Sequence, residues 1–190
     1  TLNMADLARL LPEVMDSKTV HAGFAFIVVG LALKAAIFPL HQWLPNAYAY
    51  SPNFVTVFLS ATATKAAFYA LVRISFTVFS PELDFQHVIF TWVLAPLGAI
   101  AAIVCSFQAV FQTDIRRMLA YSSVAQVGYM VLGLSLVTAA GLSAALFHLI
   151  NHALMKGALF MAVGGVALSL GSTKLADMAG VARRAPWTMT

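Results

Sequence analysis

Charge is what this sequence has least of. Of its 190 residues only 9% are Asp, Glu, Lys or Arg. A soluble domain is about 25% charged, which at this length would mean about 48 such residues; here 11 basic and 7 acidic side chains make 18. That is too few to solvate a globule of this size, and it excludes a disordered segment or a nucleic-acid-binding domain. Cysteine is scarcer still. The single Cys105 lies inside an uncharged run, so neither a disulfide framework nor a cysteine metal site can be built within the chain. There is no glycine-rich nucleotide loop, no thiolate cluster and no haem ligand pair, and no cofactor is expected.

Apolar runs fill the space that charge leaves, and 61% of the residues are hydrophobic. A membrane span needs about 20 mostly apolar residues at a rise of about 1.5 Å each. Five segments qualify: about 21–39, 54–79, 88–111, 118–137 and 142–170, the last longer than a bilayer requires. Lipid cannot satisfy backbone polar groups, so each is expected to be helical. The expected class is an all-α, multi-pass integral membrane protein. Before the first span, Met4, Leu7, Leu10, Leu11, Val14 and Met15 recur at helical spacing, which predicts an interfacial segment over residues 1–20. Asp6, Arg9, Glu13, Asp16 and Lys18 interrupt that segment and do not fit a cleavable signal. With Thr1 at one end and Thr190 at the other, both among polar residues, the chain is expected to be an internal piece of a longer membrane protein.

Turns separate the spans at Ser80-Pro81-Glu82-Leu83-Asp84, at Thr113-Asp114-Ile115-Arg116-Arg117 and at Thr138-Ala139-Ala140-Gly141. With five spans, the first and third connections and the C-terminal tail share a side. That side carries Arg116, Arg117, Lys174, Arg183 and Arg184, against Arg9, Lys18 and Arg73 opposite. The richer side is predicted to be cytoplasmic, which makes residues 171–190 a cytoplasmic linker.

The chemistry is expected where cations sit in apolar runs. Lys65 lies about 16–21 Å from either end of the second span, too far for its side chain to snorkel to water. Lys34 lies among Leu33, Ala35, Ala36 and Ile37. In the fifth span His148, His152 and Lys156 recur every four residues and so share one helix face. An ammonium at the bilayer centre costs at least about 2.5–3.5 kcal/mol on insertion scales. Snorkelling explains Arg73 and Lys174 without function, but three lysines and two histidines at similar depth point to function. Desolvation disfavours a charged amine, so a lysine held away from water can release and regain a proton near neutral pH, where histidine already titrates. A proton relay is the leading reading, with Ser60, Thr64, Ser122, Ser123, Gln126, Tyr129 and Asn151 as polar company. A buried histidine pair bonded to Asn151 or Tyr side chains ranks next. A metal site ranks last, since no Glu follows His148 and the third residue on the face is a cation. Pro39 and Pro45, between the first two spans, each remove a backbone donor. They predict either an intramembrane helix break of the kind that flanks transporter ion sites or an ordinary loop with Trp43 as interfacial anchor.

Four ordered stretches resemble a known family. Lys34 to Pro45, reading KAAIFPLHQWLP, is similar to the signature K-x5-P-L-H-x-W-L-P of the antiporter-like subunits of respiratory complex I and of Mrp-type multisubunit Na+/H+ antiporters. Lys65–Arg73, Thr113–Ser123 and Phe147–Phe160 match in the same order, and Leu175–Pro186 is similar to the family's following linker. The resemblance implies an antiporter-like fold of about fourteen helices in two inverted repeats, each with a broken helix, of which this piece would hold the seventh to eleventh. Lys34 would match the key lysine of the first broken helix, Lys65 the connecting lysine, and His148, His152 and Lys156 the ionisable stripe; the acidic partner of Lys34 would lie outside these residues. Other membrane subunits, protons, Na+ and the lipid of a bacterial inner (plasma) membrane would be the partners, with no nucleic acid. The subunit would carry no redox chemistry of its own even within an NADH:quinone oxidoreductase. Where the family often has Asp-Ala-His, this sequence has Asn46-Ala47-Tyr48, which removes two ionisable groups. A structural subunit and a histidine metal site remain the alternatives to transport.

Overall fold

The computed structural model describes residues 3–14, 17–79 and 88–181. It is all-helical, with five helices long and apolar enough to cross a membrane, in agreement with the expected class. In chain order the elements are α1 (Met4–Leu10), α2 (Lys18–Ala35), α3 (Trp43–Tyr50), α4 (Asn53–Val78), α5 (Ile89–Val110), α6 (Ile115–Ser135) and α7 (Ala139–Leu170). The Ser80–Asp84 turn, Met15 and the Arg183/Arg184 tail lie outside the described residues. α1 continues into a short 3-10 turn, Leu11–Val14, and lays Leu7 and Leu11 against the core beside Val78 and Phe79.

The first span ends earlier than its apolar run suggests. α2 stops at Ala35, and Ala36 takes a left-handed conformation, φ 58° and ψ 41°. The Ala36 amide donates to the Leu33 carbonyl at 3.1 Å and the Ile37 amide to the Ala32 carbonyl at 2.9 Å. These are the two bonds of a Schellman stop, here with alanine where glycine is usual. Pro39 therefore lies in the non-helical segment after a stop already made. Pro45 sits in the first turn of α3, where a missing donor costs nothing, and it belongs to the helix rather than to the break. Trp43 ties the two halves together, its indole Nε1 donating to the Leu33 carbonyl at 2.9 Å.

Between spans, small residues let the backbones approach closely. A Cβ built at Gly128 would lie 2.7 Å from the Gly98 carbonyl oxygen, and one at Gly98 would lie 2.9 Å from that of Gly128, so α5 and α6 meet backbone to backbone. α6 and α7 repeat the device at Gly133 and Gly141, where a Gly141 Cβ would collide with the Gly133 carbonyl oxygen. α7, at 32 residues, is about 48 Å long and must project beyond a hydrocarbon core of about 30 Å. Phe26, Trp92, Phe147 and Leu168 are exposed, which in lipid is the low-energy arrangement.

The three connections expected to share one side do meet. The Arg116 guanidinium donates to the Ala49 and Ser51 carbonyls at 3.3 Å each. Asp114 caps α6 through the amides of Arg116 (2.8 Å) and Arg117 (3.2 Å), and it accepts from the Thr173 hydroxyl. The Ile115 amide donates to the Thr173 carbonyl at 3.0 Å, and the Leu175 amide to the Thr113 carbonyl at 2.9 Å.

Candidate functional site

Helical spacing places His148, His152 and Lys156 on one face of α7, and the fold decides what that face meets. His152 is 0% exposed and Lys156 3%, whereas His148, one turn nearer the start of the helix, is half-buried. The two imidazoles lie parallel, with ring centroids 6.1 Å apart and an interplanar angle of 2°. Tyr129 of α6 meets His148 edge-on at 6.5 Å, while Asn151 points away and is exposed. Neither ring nitrogen of His152 has a hydrogen-bond partner among the described residues, so neither Asn151 nor a tyrosine there bonds its imidazole. Among the described residues no group of three or more His, Cys, Asp or Glu side chains could hold a metal ion.

α4 carries Lys65 to the same place. Lys65 is 6% exposed and within electrostatic reach of both Lys156 and His152. Just before it, Leu59–Ala63 forms a π-helical turn, a local widening frequent at functional sites. Within that turn the Ser60 carbonyl accepts from the Lys65 ammonium, while the Ser60 hydroxyl turns back to the Val57 carbonyl at 2.9 Å. Lys156 is held by α6 instead, donating to the Leu119 carbonyl at 3.0 Å and to the Ser122 hydroxyl at 2.5 Å. Carbonyl and hydroxyl oxygens accept from these two ammonium groups; among the described residues no carboxylate does. Two cations and an imidazole thus share one buried cluster built from α4, α6 and α7. Such a group can hold and hand on protons, because each added charge makes the next one harder to keep.

Lys34 is not part of that cluster. It stands in the last turn of α2 and is exposed among the described residues. Its position at the carbonyl end of a helix favours a cation, and the left-handed stop two residues on fixes where that end falls. Its neighbours Ala35, Ala36 and Ile37 are buried, while Leu33 and Lys34 are exposed.

The structure adds residues that pattern reading passed over. His41 is 4% exposed; Phe38 stacks on it at 5.2 Å, and the Cys105 sulfur lies 3.8 Å from its Nε2. It floors a crevice of about 480 Å3 that Gln42, Asn46, Gln108, Arg117 and Tyr121 also line. Tyr48 is 1% exposed, and its hydroxyl donates to the carbonyl of Leu59, the first residue of the π turn, at 3.4 Å. His41 and Tyr48 both fall in or beside the KAAIFPLHQWLP stretch, and a histidine between two prolines in an apolar run was the available signal.

The whole chain, residues 1–190, matches the family described as "NADH:quinone oxidoreductase/Mrp antiporter, TM". It is 47% identical over 195 residues to the N-type subunit of the NADH-quinone oxidoreductase of Desulforudis audaxviator, covering 100% of this chain and 37% of that protein. It is 33% identical over 187 residues to the D-type subunit of the Na(+)/H(+) antiporter of Alkalihalophilus pseudofirmus, covering 98% and 37% respectively. Among solved structures it is similar to a chain of the membrane-bound sulfane sulfur reductase, an archaeal respiratory membrane complex, with a TM-score of 0.84 and 38% identity over 93% of this chain and 35% of that one. The chain thus spans a little over a third of the length of the curated relatives it matches. The motif order, the five spans with a broken first helix and the match along the whole chain agree: this chain belongs to the NADH:quinone oxidoreductase/Mrp antiporter transmembrane family.

Proposed function

We propose that this chain is the central part of a proton-translocating, antiporter-like subunit of a multisubunit membrane complex, and that it moves protons laterally along Lys34, Lys65 and the His148/His152/Lys156 face. The observation that carries the reading is the buried cluster of Lys65, His152 and Lys156, to which two separate spans contribute ionisable groups. Among the described residues carbonyl and hydroxyl oxygens, rather than carboxylates, accept from those ammonium groups, so a change of charge nearby redistributes their protons. Lys34 is the member that answers to an acidic partner elsewhere, and its outward position at the end of α2 suits contact with chain or subunits beyond these residues. The crevice floored by His41 offers water a path from the arginine-rich side to the helix break. Asn46 adds no ionisable group to its lining, and His41, beside Arg117 and Tyr121, is the member that titrates nearest neutral pH.

Two drivers fit the family, quinone reduction and sodium exchange. The greater identity to the quinone oxidoreductase subunit than to the sodium antiporter subunit favours a redox-linked complex. The test is proton flux into vesicles holding the assembled complex, followed with a pH-sensitive dye. Lys65→Ala, His152→Ala and Lys156→Ala are expected to assemble normally and to lose at least about tenfold of the flux, the low end for removing a positioned proton carrier. Full flux from all three variants would overturn the relay. Failure to assemble in all three would favour a structural role.

A further inference from the structure

Arg116 and Arg117 occupy the first turn of α6, the end of a helix where cations are disfavoured. The acceptors of Arg116 account for its place. Its guanidinium donates to the carbonyls of Ala49 and Ser51 at 3.3 Å, which close the end of α3, and to the side-chain oxygen of Asn53, the first residue of α4. The amide nitrogen of Asn53 in turn donates to the Gly164 carbonyl of α7 at 3.2 Å. Gly164 is what allows that approach, since a Cβ there would stand 3.3 Å from the Asn53 Cβ. One guanidinium therefore joins the second half of the broken helix, the start of α4 and, through one amide, α7.

α4 and α7 are antiparallel, so the Asn53–Gly164 bond sets their register. From Asn53 to Lys65 is twelve residues, about 18 Å of rise; from Gly164 to Lys156 is eight, about 12 Å, and to His152 twelve, about 18 Å. Lys65 is thus level with His152 and about one helical turn from Lys156. Farther along the same seam, a Gly157 Cβ would lie 3.5 Å from the Ala61 Cβ, the spacing this register demands.

We propose that Arg116 is a positioning residue: through Asn53 it locks α4 against α7 and so sets the spacing between Lys65 and the His152/Lys156 face. The proposal rests on the relay reading for its functional consequence, but the register lock itself does not. Lysine could not replace it fully, because a single ammonium lacks the planar fork that reaches three acceptors at once.

The test uses the full-length subunit in its assembled complex, with Cys105, the one cysteine of these 190 residues, and any cysteine beyond them replaced by alanine. A cysteine pair, Ala61→Cys with Gly157→Cys, has the Cβ separation of a disulfide, and its rate of oxidative cross-linking reports the register. Asn53→Ala and Arg116→Ala are each expected to slow cross-linking about tenfold and to shift the pH profile of proton flux, with Arg116→Lys restoring part of both. Asn53→Ala keeps the test valid if loss of the arginine prevents assembly. Cross-linking at the parental rate in both alanine variants would overturn the lock. Slowed cross-linking with flux and pH profile unmoved would overturn the claim that the lock positions the relay. Flux lost in Lys65→Ala but cross-linking unaffected there is the result expected if lock and relay are separate properties.

Discussion

The Lys156 ammonium of α7 donates to the Ser122 hydroxyl of α6 at 2.5 Å, across the boundary between two spans. A cation in the interior is thereby anchored to a neutral partner that can also donate, and the Leu119 carbonyl, 3.0 Å away, completes its company. Ser122→Ala removes one acceptor and leaves the other. In membrane interiors such a bond is worth about 0.6 kcal/mol on average and at most about 1.7 kcal/mol. The variant is expected to assemble with little loss of thermal stability and to carry proton flux several-fold more slowly, while Ser122→Thr keeps the hydroxyl and most of the flux. Thermal denaturation and vesicle flux measurements on the same preparations check both halves.

Lys65 and Lys156 are expected to act as a unit rather than as two independent steps. Residues that do so show strongly non-additive losses. The Lys65→Ala/Lys156→Ala double variant should therefore be no slower than the worse single variant. A double-mutant cycle on flux gives the answer, and full additivity would separate the two lysines.

The contact between α5 and α6 has no room for a methyl group. At Gly128 a Cβ would meet the Gly98 oxygen at 2.7 Å and the Ala102 nitrogen at 2.9 Å, both backbone atoms that cannot step aside. Gly128→Ala is expected to destabilise by about 1–3 kcal/mol, the usual cost of overpacking. Gly23→Ala meets nothing within 4 Å and is expected to be tolerated. The melting temperatures of the two purified complexes should differ accordingly.

Ala36 closes α2 at φ 58°, where a side chain costs about 1–2 kcal/mol. Ala36→Gly is expected to raise the thermal stability by about 1 kcal/mol or less, because glycine also loses more freedom on folding. Ala36→Val should lower it, since a β-branched residue tolerates that conformation least. Thermal unfolding of the three proteins compares them directly.

Much of the fold was legible because lipid simplifies the problem. Apolar runs long enough to span can only be helices when no water is present to satisfy the backbone, and the five runs could be read one by one. Their ends were less legible. The first apolar run continues to Pro39, yet α2 stops at Ala35, because two backbone bonds around a left-handed alanine close the helix, and alanine carries no compositional sign of such a stop. Pro45 shows the same limit from the other side: a proline marks where a helix cannot continue or where one begins, and only the backbone path tells which.

Composition and spacing by themselves determined that this is a multi-pass membrane chain and that His148, His152 and Lys156 share a helix face, because apolar run length and four-residue periodicity are properties of single segments. That Lys65 joins that face, that Lys34 does not, and that Arg116 reaches α7 through Asn53 were decided by the tertiary structure alone. Those facts depend on how far each helix is rotated about its own axis and where it crosses its neighbours. Close approaches such as Gly98–Gly128 and Gly164–Asn53 help set that geometry, through contacts between residues far apart in the chain that no local period encodes.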